Sequence, residues 1–279
     1  MAEWFLFLPQ SRLSMSEIVE RAQVAEAVGF DGIAFIDHLE TPGAPHQGIW
    51  EATIAATWVA AHTQRLRIGH LVLCDAFRHP AVLAKQAVTL SAASGGRFEL
   101  GLGSGSMPGE FARFGIESGD NAAARLQRLE RDLQLIRKYW GDSDEAQLPR
   151  PEHPIPVVLG GVGPKTLGLV REYGDWWNLP CTEVDRLAEL RESVGSARIS
   201  VQQMVGFVGN HADRSAVAGL AQRRFGHLGD GLVCGTADDL VAYFAGLSDL
   251  GAERFYVWFS DLAQPGTLKE FAKTVVNAP

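Results

Sequence analysis

Basic charge is what this chain is short of. It carries 25 lysines and arginines against 33 acidic residues, a formal net charge of −8. Nonspecific nucleic-acid binding needs a basic footprint that neutralises phosphates, so no nucleic-acid partner is expected. A small anionic ligand is not excluded, because a few local N–H groups and one lysine can hold a phosphate. Cysteine is scarce as well. Cys74, Cys181 and Cys234 stand far apart, and no CxxC pair or Cys/His cluster has zinc-ligand spacing. Free thiols fit a cytoplasmic protein better than a disulfide framework. No apolar run is long enough to span a bilayer, so no membrane partner is expected. The opening segment MAEWFLFLPQ has no basic region and only a short apolar run before Pro9; it reads as a first strand, not as a secretory signal. Internal repeats and low-complexity tracts are missing too.

What the chain has is apolar residues, 46% of 279, enough to bury a large core. The stretch Leu66–Gly105 organises the rest. Leu66, Ile68, Leu71, Val72 and Leu73 form a near-continuous apolar run, which suits a strand covered on both faces. Pro80 opens a helix where a missing N–H costs nothing, and Val82, Leu83, Ala87 and Leu90 give it an apolar side. Gly95 and Gly96 stop it. Phe98, Leu100 and Leu102 form the next strand, where Gly101, Gly103 and Gly105 let another group come close. This is one βαβ unit, and loops at the carboxyl edge of such strands are where α/β proteins bind ligands.

The same alternation runs along the chain. Strands are predicted at 4–8, 33–36, 155–159, 199–208 and 254–259, with another at the DWWN segment. Helices are predicted from a Ser16 cap to Val28, over 49–62, from an Asn121 cap to Trp140, and over 166–173, 184–194 and 214–225. Two more run from a Thr236 cap to Leu250 and over 267–276. GDSDEAQLPRPEHP reads as an inserted or mobile loop and not as a domain boundary, because the alternation resumes after it. About eight strands alternating with helices are the signature of a (β/α)₈ barrel, here one domain over residues 1–279. An open doubly wound sheet is the alternative, since periodicity does not show closure.

Three places can carry chemistry. Asp37-His38 falls at the end of the second strand. His38 there either caps the strand, satisfied by Asp37, or exchanges a proton near neutral pH. GLGSG after the fourth strand lacks the GxGxxG spacing of a dinucleotide fingerprint. LGGVGPKT sets glycines between a strand and a helix, which frees N–H groups to face an anion; the helix dipole adds to the attraction, and Lys165 supplies a point charge. A tight βα turn alone would need only one or two of those glycines. Arg78-His79 before Pro80 reads as capping or salt-bridging, Trp176 and Trp177 as barrel packing, and His46, His70 and His153 as solvent-facing or structural. Nothing marks Cys74 as a nucleophile.

The run RHPAVLAKQAVTLSAASGGRFELGLGSG, with GFDGIAFIDH before it and LGGVGPKT followed by DWWN after it, resembles the luciferase-like monooxygenase superfamily of flavin- and deazaflavin-dependent oxidoreductases. The resemblance implies the barrel, and a cofactor ring lying beside the Asp37-His38 step with His38 as the catalytic residue. It implies a bulge in the third strand, with a non-prolyl cis peptide near Leu71-Val72 and Cys74 close by, supporting that ring. Ser104 and Gly105 would lie along the cofactor. Gly160, Gly161, Val162, Gly163 and Lys165 would hold its phosphate. No metal is implied. One branch of the superfamily, which oxidises hexose phosphates, has a glutamate directly after the last glycine of GLGSG; Ser106 stands there in this chain. The cofactor expected is coenzyme F-420, a deazaflavin that exchanges hydride with an organic substrate. FMN, serving an oxygen-using monooxygenase with a separate reductase, is the alternative, and a non-catalytic flavin-binding barrel is a third reading. Relatives are often dimers, so a homodimer is the assembly to test.

Overall fold

All the described strands but Leu232–Gly235 are buried on both faces or nearly so, and the sheet they build is parallel throughout. The computed structural model describes residues 2–278. The strands are β1 (Glu3–Phe7), β2 (Gly32–Phe35), β3 (Arg67–His70), β4 (Leu73–Cys74), β5 (Leu100–Gly103), β6 (Val157–Gly160), β7 (Trp176–Leu179), β8 (Arg198–Phe207), β9 (Leu232–Gly235) and β10 (Arg254–Phe259). Their order is β3-β2-β1-β10-β8-β7-β6-β5-β4, with β9 beside β8 off that path. β3 and β4 are two halves of one barrel strand. The lower half pairs with β2 and the upper half with β5, and an Ile68–Phe98 bridge joins the two edges. The sheet therefore curls into a barrel, and the open doubly wound alternative falls away.

The helices are α1 (Met15–Val28), α2 (Ala52–His62), α3 (Pro80–Ala93), α4 (Pro108–Phe114), α5 (Ala122–Trp140), α6 (Pro164–Tyr173), α7 (Leu187–Leu190), α8 (Arg214–Phe225), α9 (Ala237–Asp249) and α10 (Pro265–Phe271). Strand side chains alternate between two cores. Trp4, Leu6 and Leu8 face the helix layer, while Phe5, Phe7, Ala34 and Tyr256 fill the lumen.

Several boundaries differ from the sequence reading for local reasons. Ser14, not Ser16, caps α1, because it stands three residues before Glu17 and completes a capping box with it. α2 starts at Ala52, not at Ile49, since the Glu51 carboxylate accepts the Ile54 N–H at 2.7 Å. Residues 184–194 form one α turn flanked by 3-10 turns rather than a continuous helix; Leu187, Leu190 and Val194 serve either geometry, because a spacing of three suits both. β9, just before the Thr236 cap, is not among the predicted strands. It is a four-residue strand, half-exposed and ending in glycine, with little to mark it.

The floor of the barrel is ionic. Arg254, wholly buried, donates to Glu99 at 2.5 and 3.0 Å, to Glu3 at 2.7 Å and to the Tyr256 hydroxyl at 3.0 Å. Its guanidinium lies 3.7 Å from the Trp176 ring centroid and 4.1 Å from that of Phe5. Burial pushes the Tyr256 hydroxyl up to about 12. Removing one partner of such a pair strands a charge in a dry site, which costs about 3–5 kcal/mol. Glu99→Ala is expected to lower unfolding free energy by about 3 kcal/mol, read from urea midpoints at unchanged slope. A loss below about 1 kcal/mol would mean that Glu3 alone satisfies Arg254.

Candidate active site

Two features of the sequence place a hollow at the carboxyl ends of the strands. The first is the split third strand. Between its halves the Leu71-Val72 peptide is cis, and the chain bulges toward β5. β5 accepts the bulge because it carries glycine where the bulge presses. An ideal Cβ on Gly101 would sit 1.8 Å from the His70 carbonyl oxygen, and one on Gly103 would sit 2.6 Å from Val72 Cγ2. The group that comes close to these glycines is thus the chain itself. The second feature is the end of β2, where buried Gln10 clamps Ile36: it donates to the Ile36 carbonyl at 2.6 Å and accepts its N–H at 3.2 Å. Asp37 and His38 follow.

Asp37 is buried and fully engaged. Its carboxylate accepts the Cys74 N–H at 2.8 Å and two Arg78 bonds at 2.6 and 3.0 Å. Arg78 also pairs with Glu51 at 2.5 Å, which fulfils the salt-bridging role expected of it. Asp37 thereby ties the end of β2 to β4. His38 beside it is one-fifth exposed at the side chain. Its Nδ1 lies 3.0 Å from Glu110 of α4, a carboxylate only 1% exposed. Glu110 accepts the Leu39 and Glu40 N–H groups at 2.6 and 3.2 Å with its other oxygen. A carboxylate placed this way accepts from His38, so in the neutral imidazole Nδ1 carries the proton and Nε2 offers its lone pair. Nε2 has no hydrogen-bond partner among the described residues.

The hollow that His38 lines holds about 260 Å³. Asp37, Leu71, Val72, Cys74, Ser104, Gly105 and Gly160 meet it there, together with Ser106 and Phe111. Arg128 of α5 fixes the GLGSG side: it grips Asp75 at 2.7 and 3.0 Å and donates to the Ser104 carbonyl at 3.2 Å. Burial pushes the Cys74 thiol up to about 12, so it stays protonated at neutral pH.

The glycine-rich turn stands differently. Gly161, Val162 and Gly163 connect β6 to α6 beyond Gly160. Gly163 caps α6 with no side-chain oxygen, which leaves the first-turn N–H groups free of a local acceptor. Lys165 is exposed on α6 and lines a separate groove toward α5, beside Gln127 and Glu130. Trp177 is buried and donates to the Gly161 carbonyl at 2.9 Å, which stiffens the turn. His70 is structural: it is buried against α2, with Nε2 3.2 Å from the Ala52 carbonyl, and burial pushes it down to about 4. His46 and His153 are exposed.

Glu110 and the Asp75–Arg128 pair escaped sequence reasoning. The only trace of Glu110 was an acidic residue in the first turn after Pro108, a pattern that any solvated helix start shares. With Glu110→Gln, one half of the group becomes a donor facing donors. The variant is expected to release the Leu39–Glu40 backbone and to mix the two His38 tautomers, visible in ¹⁵N imidazole shifts. An unchanged Nε2 acceptor signature would show that Glu110 does not set the tautomer.

A parallel barrel with a carboxylate-oriented histidine at its carboxyl mouth defines a class of ligand-binding α/β barrel. Residues 5–205 match the model of the luciferase-like monooxygenase family, and the chain belongs to that family. Over 175 residues it is 37% identical to an F-420-dependent glucose-6-phosphate dehydrogenase of Amycolatopsis mediterranei (strain U-32), a match covering 57% of this chain and 51% of that protein. The chain spans about half the length of the curated relatives it matches. Among solved structures it is similar to an F-420-dependent secondary alcohol dehydrogenase in complex with an F-420–acetone adduct, at a TM-score of 0.81 and 17% identity, covering 99% of this chain and 98% of that one. It is also similar to a monooxygenase from Streptomyces bottropensis, at a TM-score of 0.79 and 17% identity, covering 98% of each chain. These two likenesses show the barrel fold.

Proposed function

We propose that this protein is an oxidoreductase that transfers hydride between coenzyme F-420 and a small organic substrate. The observation that carries the reading is His38, held by buried Glu110 with Nε2 turned free at the hollow's wall. The hollow suits a flat ring rather than a whole coenzyme. Gly160 at its rim leads to the GGVG turn, where the uncapped start of α6 suits a phosphate. When bound, the deazaflavin supplies a two-electron hydride carrier that reacts poorly with oxygen.

The chain's own residues do the rest. The Leu71–Val72 bulge and the GLGSG loop bound the ring site, and Phe111 and Ile36 add apolar wall to it. His38 Nε2 takes a proton from an alcohol as hydride leaves its carbon, or returns one to a carbonyl in reverse. Glu110 keeps the imidazole in the accepting tautomer and stabilises the imidazolium that forms. Ser106 stands where the hexose-phosphate branch has its acid, so the proton work falls to His38, and the identity with a sugar-phosphate dehydrogenase does not carry that substrate over.

Parallel titrations of F-420 and FMN test the cofactor. F-420 is expected to bind at micromolar concentration or tighter and FMN more weakly; the reverse order would move the reading to an oxygen-using flavin enzyme. His38→Ala is expected to lower turnover by about 10²–10⁴-fold while coenzyme affinity changes by no more than a few fold. Equal loss of both would sink the proton-transfer role.

Among the described residues no helix is long and apolar enough to cross a membrane. The three cysteines are unpaired, which supports a reducing cytoplasm. Trp50, Ile54 and Trp58 are exposed along a groove of about 700 Å³ between α1 and α2, which supports a homodimer through that face. Sedimentation is expected to give twice the chain mass for the wild type and the monomer mass for Ile54→Glu; a monomeric wild type would remove the dimer.

A further inference from the structure

A second and larger cavity, about 820 Å³, opens beside the His38 hollow, and Ile36 lines both. It lies among the β1–α1 loop, the loop after β2, α8 and the loop after β10. In strand order this side of the mouth is remote from β6 and its GGVG turn. Its body is apolar, with Met204, Phe225, Leu228 and Trp258. Its charges are of one sign. Arg12, Arg223 and Arg224 line it with His227, and no aspartate or glutamate does, in a chain whose net charge is −8.

Arg12 and Arg223 are exposed to solvent at the cavity, and Arg224 is half-buried in it. Most of the chain's arginines pair with a carboxylate or a carbonyl, but Arg12, Arg223 and Arg224 make no side-chain hydrogen bond or ion pair among the described residues. Arg224 Nη1 is buried with no partner at all. Burial, and then the like charge of Arg12, hold the Arg224 guanidinium below its ordinary range, with Asp261 opposing. The Asp261 carboxylate does not pair with it; it accepts instead from the Thr267 hydroxyl at 2.5 Å. The half-buried guanidinium has one nitrogen shut off from water, and Asp261 attracts it without a hydrogen bond, so an incoming anion would supply the partner that Nη1 lacks. The backbone around the cavity is also strained. The non-glycine residues with positive φ among those described are Arg12 at 63°, Leu262 at 62° and Ala263 at 53°; Arg12 and Leu262 line this cavity and Ala263 follows Leu262. Conformations of that kind persist where the surroundings fix them, and they gather at ligand clamps.

We infer that Arg12, Arg223 and Arg224 form an anion subsite, so that the substrate is an organic acid or phosphate ester with an apolar body. The anion sits among the arginines, the apolar body packs on Phe225 and Trp258, and the reacting carbon extends past Ile36 toward His38. Calling this ligand the substrate rests on the hydride-transfer reading above; the anion subsite itself does not.

The test therefore measures binding without coenzyme. Phenyl phosphate, phenylacetate and neutral benzyl alcohol are titrated into the full chain by calorimetry. At least one anion is expected to bind ten-fold or more tightly than benzyl alcohol, with affinity falling as salt rises. Arg224→Gln is expected to weaken that anion at least ten-fold and leave benzyl alcohol unchanged. Arg223→Gln, at an exposed position, repeats the test should the first variant fail to fold. Equal affinity for the neutral probe, or anion affinity unchanged in both variants, would overturn the subsite. F-420 titrated into the same variants separates the two readings. Coenzyme affinity is expected to be unchanged; its loss would assign the arginines to the cofactor and overturn the substrate claim. Anion binding by a protein that takes no F-420 would support the subsite and sink the hydride-transfer reading instead.

Discussion

The structure depends on a buried cation at the closed end of its barrel. Arg254 begins the last strand, Glu3 begins the first, and Glu99 stands just before the fifth, so one guanidinium binds segments from both ends and the middle of the chain. A parallel barrel brings strand starts together at one end, and whatever fills that end must satisfy all of them. Hydrophobic residues would fill the space as well and could be as stable. The charged version adds direction: a bidentate pair and a cation stacked on Trp176 and Phe5 accept few alternative arrangements. With the floor fixed, the opposite face is left to loops.

The ligand face is organised by a chain of carboxylates, each already committed. Asp37 ties β2 to β4 through the Cys74 N–H and pairs with Arg78, Glu110 orients His38, and Asp75 holds Arg128 against the GLGSG loop. None of the three is free to act on a ligand. Their effect is to hold a histidine and a bulged strand to a fixed geometry, which is what a site requires if proton and hydride are to move between set positions.

Much of this was legible in the sequence, and the limits have physical reasons. Local signals carried the strand–helix alternation, because apolar period, Pro at a first turn and Gly at a stop are properties of neighbouring residues. Asn121 and Thr236 were found as caps for the same reason. His38 was expected from its place at a strand end, and Val72, Ser104 and Gly160 from a family resemblance; all four line one hollow. Glu110 could not be found so. It meets His38 across 72 positions in sequence, and nothing adjacent to it reports a buried carboxylate. The arginine cluster is hidden likewise: Arg12 and Arg223–Arg224 look like ordinary surface charges until the barrel brings them to one side. Lys165 was drawn in by its motif, yet one turn of helix carries it outward to a groove beside α5.

The divided third strand has a consequence for how length can vary in this chain. Its lower half takes its register from β2 and its upper half from β5. A slip of one residue would have to satisfy both neighbours at once, and it would carry His70 from the helix layer into the lumen, leaving Leu71 to replace it. An insertion or deletion between Gly69 and Leu73 therefore has nowhere to be absorbed. Tolerance for added or lost residues is displaced to the segments 41–48, 115–121 and 142–154, outside the contacts that Glu110 makes. Diversification of this barrel by changes in length is thus channelled into the loops, while the strand beneath them stays the same length.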